Sequence, residues 1–207
     1  VVCAVNYNSD KPYSIDTTPA TDMENSAWIA RYAWSGQPQA SLSEPDTNIA
    51  GKGTGASAPL VPTDYHVVIR ERLEQLRAGL QQQLGKFQAR CFVDTGPLVE
   101  RIYAKYAGLG WQGKNTCLIN QSLGSWFFLG VILTSIELPP EQYAQPLPDR
   151  CGSCTRCIDA CPTDALEPYR MDASRCIAYL TIEKRGEMPE ELAAKVGRQV
   201  FGCDICQ

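Results

Sequence analysis

The chain has 207 residues, a hydrophobic fraction of 44% and a formal net charge of −4. That length suits one or two domains, and the apolar fraction is ordinary for a globular protein. No apolar run reaches the length of a membrane-spanning helix. Any basic, nucleic-acid-binding patch has to be local, because from Arg150 onward eight Lys or Arg face nine Asp or Glu.

In chain order, residues 1–5 (V-V-C-A-V) read as a buried strand with neither an initiator methionine nor a lead-in, which predicts that the sequence starts inside a longer protein. Residues 28–34 are rich in aromatic rings, as a packed core or the wall of a flat-ligand pocket would be. Residues 35–63 are mostly Gly, Ser, Pro, Ala and Thr. Such a composition buries too little apolar surface to offset its ordering entropy, so a mobile surface insertion is predicted. Asp64 then reads as an N-cap for a helix over 65–84, with Leu73, Leu76, Leu80 and Leu84 at helical spacing and Gly85 as its stop. His66, the single histidine, falls in the first turn, where a surface or capping role is the plain reading.

Residues 91–93 form a short apolar strand that delivers Asp94 to its exit, and the turn Thr95-Gly96-Pro97 leads into a helix over 98–107. A carboxylate in that position is where α/β proteins place chemistry, and it is also where a helix cap would sit. Residues 108–115 carry three glycines that let a backbone approach a ligand, in a spacing that matches no nucleotide-binding motif. Apolar segments 116–120 and 126–134 flank a polar turn and predict a hairpin. Pro139, Pro140, Pro146 and Pro148 make a stiff linker. The expected organisation is an α/β domain over 1–148 and a second domain over 149–207. In the second, a helix over 175–183 breaks at Lys184-Arg185-Gly186 and another starts at Pro189.

That second domain opens with C-G-S-C-T-R-C-I-D-A-C-P, residues 151–162. Three cysteines two residues apart, then a fourth followed by proline, form the bacterial ferredoxin run. Its first three thiolates hold one [4Fe–4S] cube, and the fourth serves a neighbouring cube. Cys151, Cys154 and Cys157 are therefore assigned to one cluster, and Cys161, Cys176, Cys203 and Cys206 to a second. By the mirrored motif the first cluster's missing ligand belongs four residues after Cys206, so the sequence is expected to stop just short of it. Cys3, Cys91 and Cys117 are the other thiols able to substitute. A disulfide framework suits small secreted chains and nothing here reads as a signal peptide. Zinc bound by two CxxC pairs would leave three cysteines unexplained. Two cubes pass single electrons, which leaves three classes: a reductase, an electron carrier, or a structural or nucleic-acid-binding module using the clusters as staples.

Five further stretches narrow these classes. V-D-T-G-P (93–97), A-G-L-G-W-Q-G-K-N (107–115), G-S-W-F-F-L-G (124–130), E-L-P-P (137–140) and C-I-A-Y-L-T-I-E (176–183), together with the ferredoxin run and the closing F-G-C-D-I-C-Q, resemble epoxyqueuosine reductases. The resemblance implies an α+β or α/β, nitroreductase-like cobalamin-binding domain joined to a two-cluster ferredoxin-like domain. It also implies a cytoplasmic monomer that reduces epoxyqueuosine to queuosine at the tRNA wobble position, fed by an external flavodoxin or ferredoxin. In the full protein it implies a further helical-repeat domain.

Carried over by position, Asp94 matches the general acid, and His66, Asp94, Arg101, Lys114, Leu118, Leu129 and Ile132 match cobalamin-lining positions. Lys184 and Arg185 fall where the family meets tRNA. The insertion after Trp34 and Ala30, where some relatives carry cysteine, are departures. No motif for a histidine beneath the cobalt is present, so base-off cobalamin is implied. The acid role asks for a buried Asp94, raised in pKa by an apolar neighbour. Another corrinoid iron–sulfur reductase such as a reductive dehalogenase, or a non-enzymatic electron-transfer module, remains the alternative.

Overall fold

The computed structural model describes residues 1–16, 26–34 and 64–207. The predicted insertion over 35–63 lies outside them. Strand β1 (Val2–Asn6) is followed by a two-residue strand β2 (Trp28–Ile29) and a single 3-10 turn (Arg31–Ala33). Helix α1 (Tyr65–Leu84) has the expected ends. The Asp64 side chain accepts from the His66 amide, and Gly85 at φ 84° closes the helix where a Cβ would be strained.

Strand β3 (Ala89–Phe92) leads to helix α2 (Glu100–Tyr106), then to β4 (Trp111–Gln112), β5 (Leu118–Ile119) and the long strand β6 (Phe127–Thr134). β6 is the centre of an antiparallel sheet ordered β1-β6-β3, in which Cys3 faces Gly130 and Cys91 faces Ile132. With every ladder in this sheet antiparallel, the domain is α+β in construction.

The sheet is covered on both faces, and residue parity along β6 decides which side chain serves which face. Ile132 joins Ile69 and Leu73 of α1 and Val93 in one cluster; Phe127 joins Ala104 of α2 and Leu118 in another. Gly130 makes the first contact close, since a Cβ there would lie 2.9 Å from a Leu73 methyl and 3.1 Å from Ile69. Each fully buried aliphatic side chain in these clusters contributes about 1.5–3 kcal/mol. The inner face of α1 is Ile69 and Leu73, whereas Leu76 and Leu84 are exposed, so the leucine repeat alone misjudged that face by part of a turn.

Two other expectations change. The 116–120 and 126–134 segments do not form a hairpin: β5 pairs with β4, β6 pairs with β1 and β3, and the isolated Asn120–Gly124 bridge only closes the turn that follows β5. The helix predicted over 175–183 begins later, because Cys176 is extended (φ −68°, ψ 127°), and it is wound as a π-helix over Tyr179–Glu183.

The remaining elements are short: helix α3 (Arg156–Asp159), strands β7 (Leu166–Glu167) and β8 (Arg170–Met171), helix α4 (Glu190–Val196) and strand β9 (Gln199–Phe201). Ile177, Leu180, Leu192 and Val196 form their core, with Met188, Cys203 and Ile205 packed against it. β9 does not pair within this half. It runs parallel to β2, with Ile29 opposite Phe201, and so crosses the predicted boundary near residue 148.

Candidate active site and cluster loops

Asp94 leaves β3 in the left-handed region, φ 52°, where aspartate is one of the few residues with a side chain that is tolerated. Its carboxylate meets the first turn of α1. Tyr65 Oη donates to Asp94 Oδ2 at 3.0 Å, and His66 Nε2 lies 3.2 Å from the same oxygen. His66 Nδ1 is 2.7 Å from Asp64 Oδ1, so one imidazole bridges the capping carboxylate and Asp94.

The Tyr65 ring is fixed in turn. It stacks on Phe128 of β6 at 4.3 Å and 7°, and on His66 at 4.0 Å. Burial works against the imidazolium of His66, but hydrogen bonds to Asp64 and Asp94, with their charge, outweigh it and hold its pKa above the ordinary value. Burial, then the bond to Asp94, pushes the Tyr65 phenol up. The Asp94 carboxylate itself is exposed, at 64% of its side chain. The burial that an acid role calls for therefore has to come from a bound molecule.

The other expected pocket residues divide between two faces. Arg101 donates to the Thr116 carbonyl at 2.6 Å and, with Val99, Ile102, Gln112, Thr116 and Leu118, lines a cavity of about 80 Å³. Leu129 packs with Leu118 on the α2 side of the sheet. Ile132 is fully buried on the opposite, α1 side and has no surface to offer a ligand. Beyond the cavity, Val99, Ile102, Tyr103 and Tyr106 are exposed along α2, a bare apolar face with Arg101 beside it. The cavity has room for only a few atoms, and Leu118, which lines it, is otherwise buried, so the surface open to a large flat group on this side is the outer face of α2 beside Arg101, and not Ile132.

Lys114 is buried and donates from Nζ to the carbonyls of Gly152 at 2.7 Å and Cys154 at 3.0 Å. Its own carbonyl accepts from the Tyr169 amide. It thus grips the first cysteine loop. Asn115 does the same for the last one, donating from Nδ2 to the Cys206 carbonyl at 2.7 Å. The G-W-Q-G-K-N stretch (110–115), which matched no nucleotide motif, is a wedge between the two cluster loops.

All ten cysteines are free thiols. Cys157 feels the charge of Cys151 and Cys154, and Cys203 that of Cys176 and Cys161, with burial pushing the Cys203 thiol up to about 11. The Ala165 amide donates to Cys161 Sγ at 3.4 Å, the kind of bond that steadies a cluster thiolate. Among the described residues no three His, Cys, Asp or Glu converge as a single metal ion requires. The thiols that act on one another, Cys157 with Cys151 and Cys154, and Cys203 with Cys176 and Cys161, follow the grouping that the ferredoxin spacing assigns. Of the other thiols, Cys3 and Cys91 pack against the α1 core, whereas Cys117 contacts Cys206 and so sits by the second set, not the first. Lys184 and Arg185 lie in the turn after the π-helix, Arg185 exposed.

Several residues here were not singled out from the sequence. Tyr65 had no signal beyond its place beside His66. Arg31 is buried and donates to Asn8 Oδ1 and to the carbonyls of Ser9, Lys11 and Pro12, under the rings of Tyr13, Trp34 and Trp126. Its amide donates to buried Asp204, between the last two cysteines. The only hint of that strut was a cation inside the aromatic stretch 28–34.

Comparison with known proteins agrees with this arrangement. Residues 150–207 match a 4Fe-4S double cluster binding domain, and residues 41–95 match the family described as epoxyqueuosine reductase QueG, DUF1730. The epoxyqueuosine reductase of Xanthomonas campestris is 52% identical over 145 residues, 70% of this chain and 40% of that protein. The one from Burkholderia pseudomallei is 42% identical over 187 residues, 86% of this chain and 44% of that protein. The chain thus spans less than half the length of these relatives. Among solved structures, epoxyqueuosine reductase from Streptococcus thermophilus superposes on the whole chain with a TM-score of 0.74 at 30% identity, over 46% of its own length. One with an epoxyqueuosine-modified tRNA-Tyr stem loop gives 0.73, and one from Bacillus subtilis, its catalytic aspartate loop swung out of the active site, gives 0.74, each at 30% identity. No helix among the described residues is long and apolar enough to cross a membrane. With its two-cluster half, its strand-exit aspartate and these relatives, the chain belongs to the epoxyqueuosine reductase family.

Proposed function

We propose that this chain carries the catalytic and electron-delivering part of an enzyme that reduces epoxyqueuosine to queuosine in tRNA. The observation that carries the reading is the Asp94 carboxylate, tethered by Tyr65 and His66 at a strand exit in a chain whose other half matches a 4Fe-4S double cluster binding domain. The net change takes two electrons and two protons, and the epoxide oxygen leaves as water. When bound, two [4Fe–4S] clusters and base-off cobalamin supply those electrons.

Cys151, Cys154 and Cys157 would hold three corners of one cluster, and Cys161, Cys176, Cys203 and Cys206 the other. Arg101, with Leu118 and Leu129 packed behind it, would border the corrin on the α2 side, and His66 would approach it from α1. Lys114 would act indirectly, because its ammonium is already engaged by the first cysteine loop. Asp94 would protonate the departing oxygen, with Tyr65 and His66 aiming the carboxyl and His66 able to return the proton. Lys184 and Arg185 would take tRNA phosphates. A cytoplasmic monomer with a flavodoxin- or ferredoxin-type donor completes the proposal.

The test is reduction of an epoxyqueuosine-bearing anticodon stem-loop by the reconstituted protein with a chemical reductant, read as loss of one oxygen by mass spectrometry. Asp94→Asn keeps the size and the left-handed backbone but has no proton of suitable acidity, so turnover should fall about 10²- to 10⁴-fold. Iron content should stay at the wild-type level. Undiminished turnover would leave Asp94 a structural residue.

A further inference from the structure

A line of rings joins the catalytic carboxylate to the far edge of the cluster half. Tyr65, which holds Asp94, meets Tyr32 edge-on at 6.3 Å and 88°, and Tyr32 meets Phe201 of β9 at 6.4 Å and 37°. Phe201 is paired with Ile29 across the β2–β9 junction. Gly202, at φ 69°, keeps the line close, since a Cβ there would lie 2.6 Å from Ala30 Cβ and 3.1 Å from the Tyr32 ring. Ile182, next on that side, is one residue from Glu183 and two from Lys184.

Fully buried rings of this kind would be core. Here Phe201 is 39% exposed, with Ile29 at 46% and Ile182 at 37% beside it, and Tyr32 is half-buried between Phe201 and Tyr65. We infer that Tyr32 and Phe201, flanked by Ile29 and Ile182, form a stacking platform for unpaired nucleobases next to the nucleotide presented to Asp94.

Charge selects the occupant. Tyr32 lies within reach of three carboxylates, Asp204, Asp94 and Glu183. A phosphate over that ring would be repelled, whereas the uncharged face of a base would not. Backbone phosphates are then left to Lys184 and Arg185 at the end of the line. Single-stranded loops are bound in this manner, with splayed bases on aromatic rings and phosphates on cations.

The inference rests on the tRNA reading above and is tested by binding, so that the two can fail separately. The holo protein is titrated with an epoxyqueuosine-bearing anticodon stem-loop carrying 2-aminopurine beside the modified nucleotide. Stacking on a ring should quench its fluorescence. Tyr32→Leu and Phe201→Leu keep apolar bulk but remove the π face, and each should weaken binding about 5- to 150-fold and relieve the quench. Tyr32→Phe should bind as wild type. Wild-type affinity and quench in both leucine variants would overturn the platform while leaving the activity reading intact. A wild-type protein that does not bind the stem-loop would instead bring down the reading on which it rests. If a leucine variant does not fold, the quench in the wild type decides alone, and its absence overturns the platform.

Discussion

The two halves of the molecule are held together by different means. The sheet half has long elements, α1 of 20 residues and β6 of eight, with an apolar cluster on each face of one sheet. The cluster half has no helix longer than seven residues, two-residue hairpin strands and a single core of four buried aliphatic residues. It borrows from its neighbour: a strand partner in β2, two carbonyl grips from Lys114, one from Asn115, and a carboxylate–amide bond from Asp204 to Arg31. A half with so little apolar surface of its own is set in place by polar groups and, on the proposal above, by its clusters.

The difference can be broken from the seam. Arg31→Met should have the largest structural effect. It removes the charged donor to Asn8 and to the carbonyls of Ser9, Lys11 and Pro12, at about 1.5–3 kcal/mol for a charge-assisted bond and less where Lys11 and Pro12 are exposed, so unfolding midpoints in urea should drop sharply. Leu73→Ala strikes the sheet half instead and should cost about 2–5 kcal/mol, with iron content retained in what stays folded. Lys114→Met should follow. It removes charge-assisted bonds worth about 1.5–3 kcal/mol each, and the loss should appear as easier release of iron from the Cys151–Cys154–Cys157 loop than from the other set.

Smaller effects sharpen the same contrast. His66 is the single histidine, so one imidazole signal can be followed by NMR, and its midpoint should lie above 6.5. Because the folded value is raised, the stability it adds is complete below about pH 6.5 and is lost as pH climbs through the folded midpoint. Asp94→Asn should lower that midpoint; an unmoved signal would mean the two side chains do not interact. Gly79→Ala, within α1 and with nothing within 4 Å of the added methyl, should raise stability by about 0.5–1 kcal/mol.

How much of this was legible follows the same division. α1 could be read to the residue because both its ends are local chemistry, an Asp cap and a Gly stop. The ferredoxin run was legible because its spacing is a covalent fact of the chain. β6 was found, but its partners were not, since β1 and β3 lie far off in sequence and the nearer β5 was the obvious choice. Its parity was hidden too. Both faces of β6 are apolar, so no alternation separates Leu129 from Ile132, and Ile132 was placed in a pocket when it belongs to the core. The tether on Asp94 and the wedge of Lys114 and Asn115 depend on tertiary placement that no window of residues records.

The bond from the Arg31 amide to Asp204 spans 173 residues. Contacts so distant in sequence close last, because the loop between them must be ordered before they return any energy. The pairing of β9 with β2 is a contact of the same kind, so the placement of Cys203 and Cys206, beside Asp204, depends on residues near the start of the sequence.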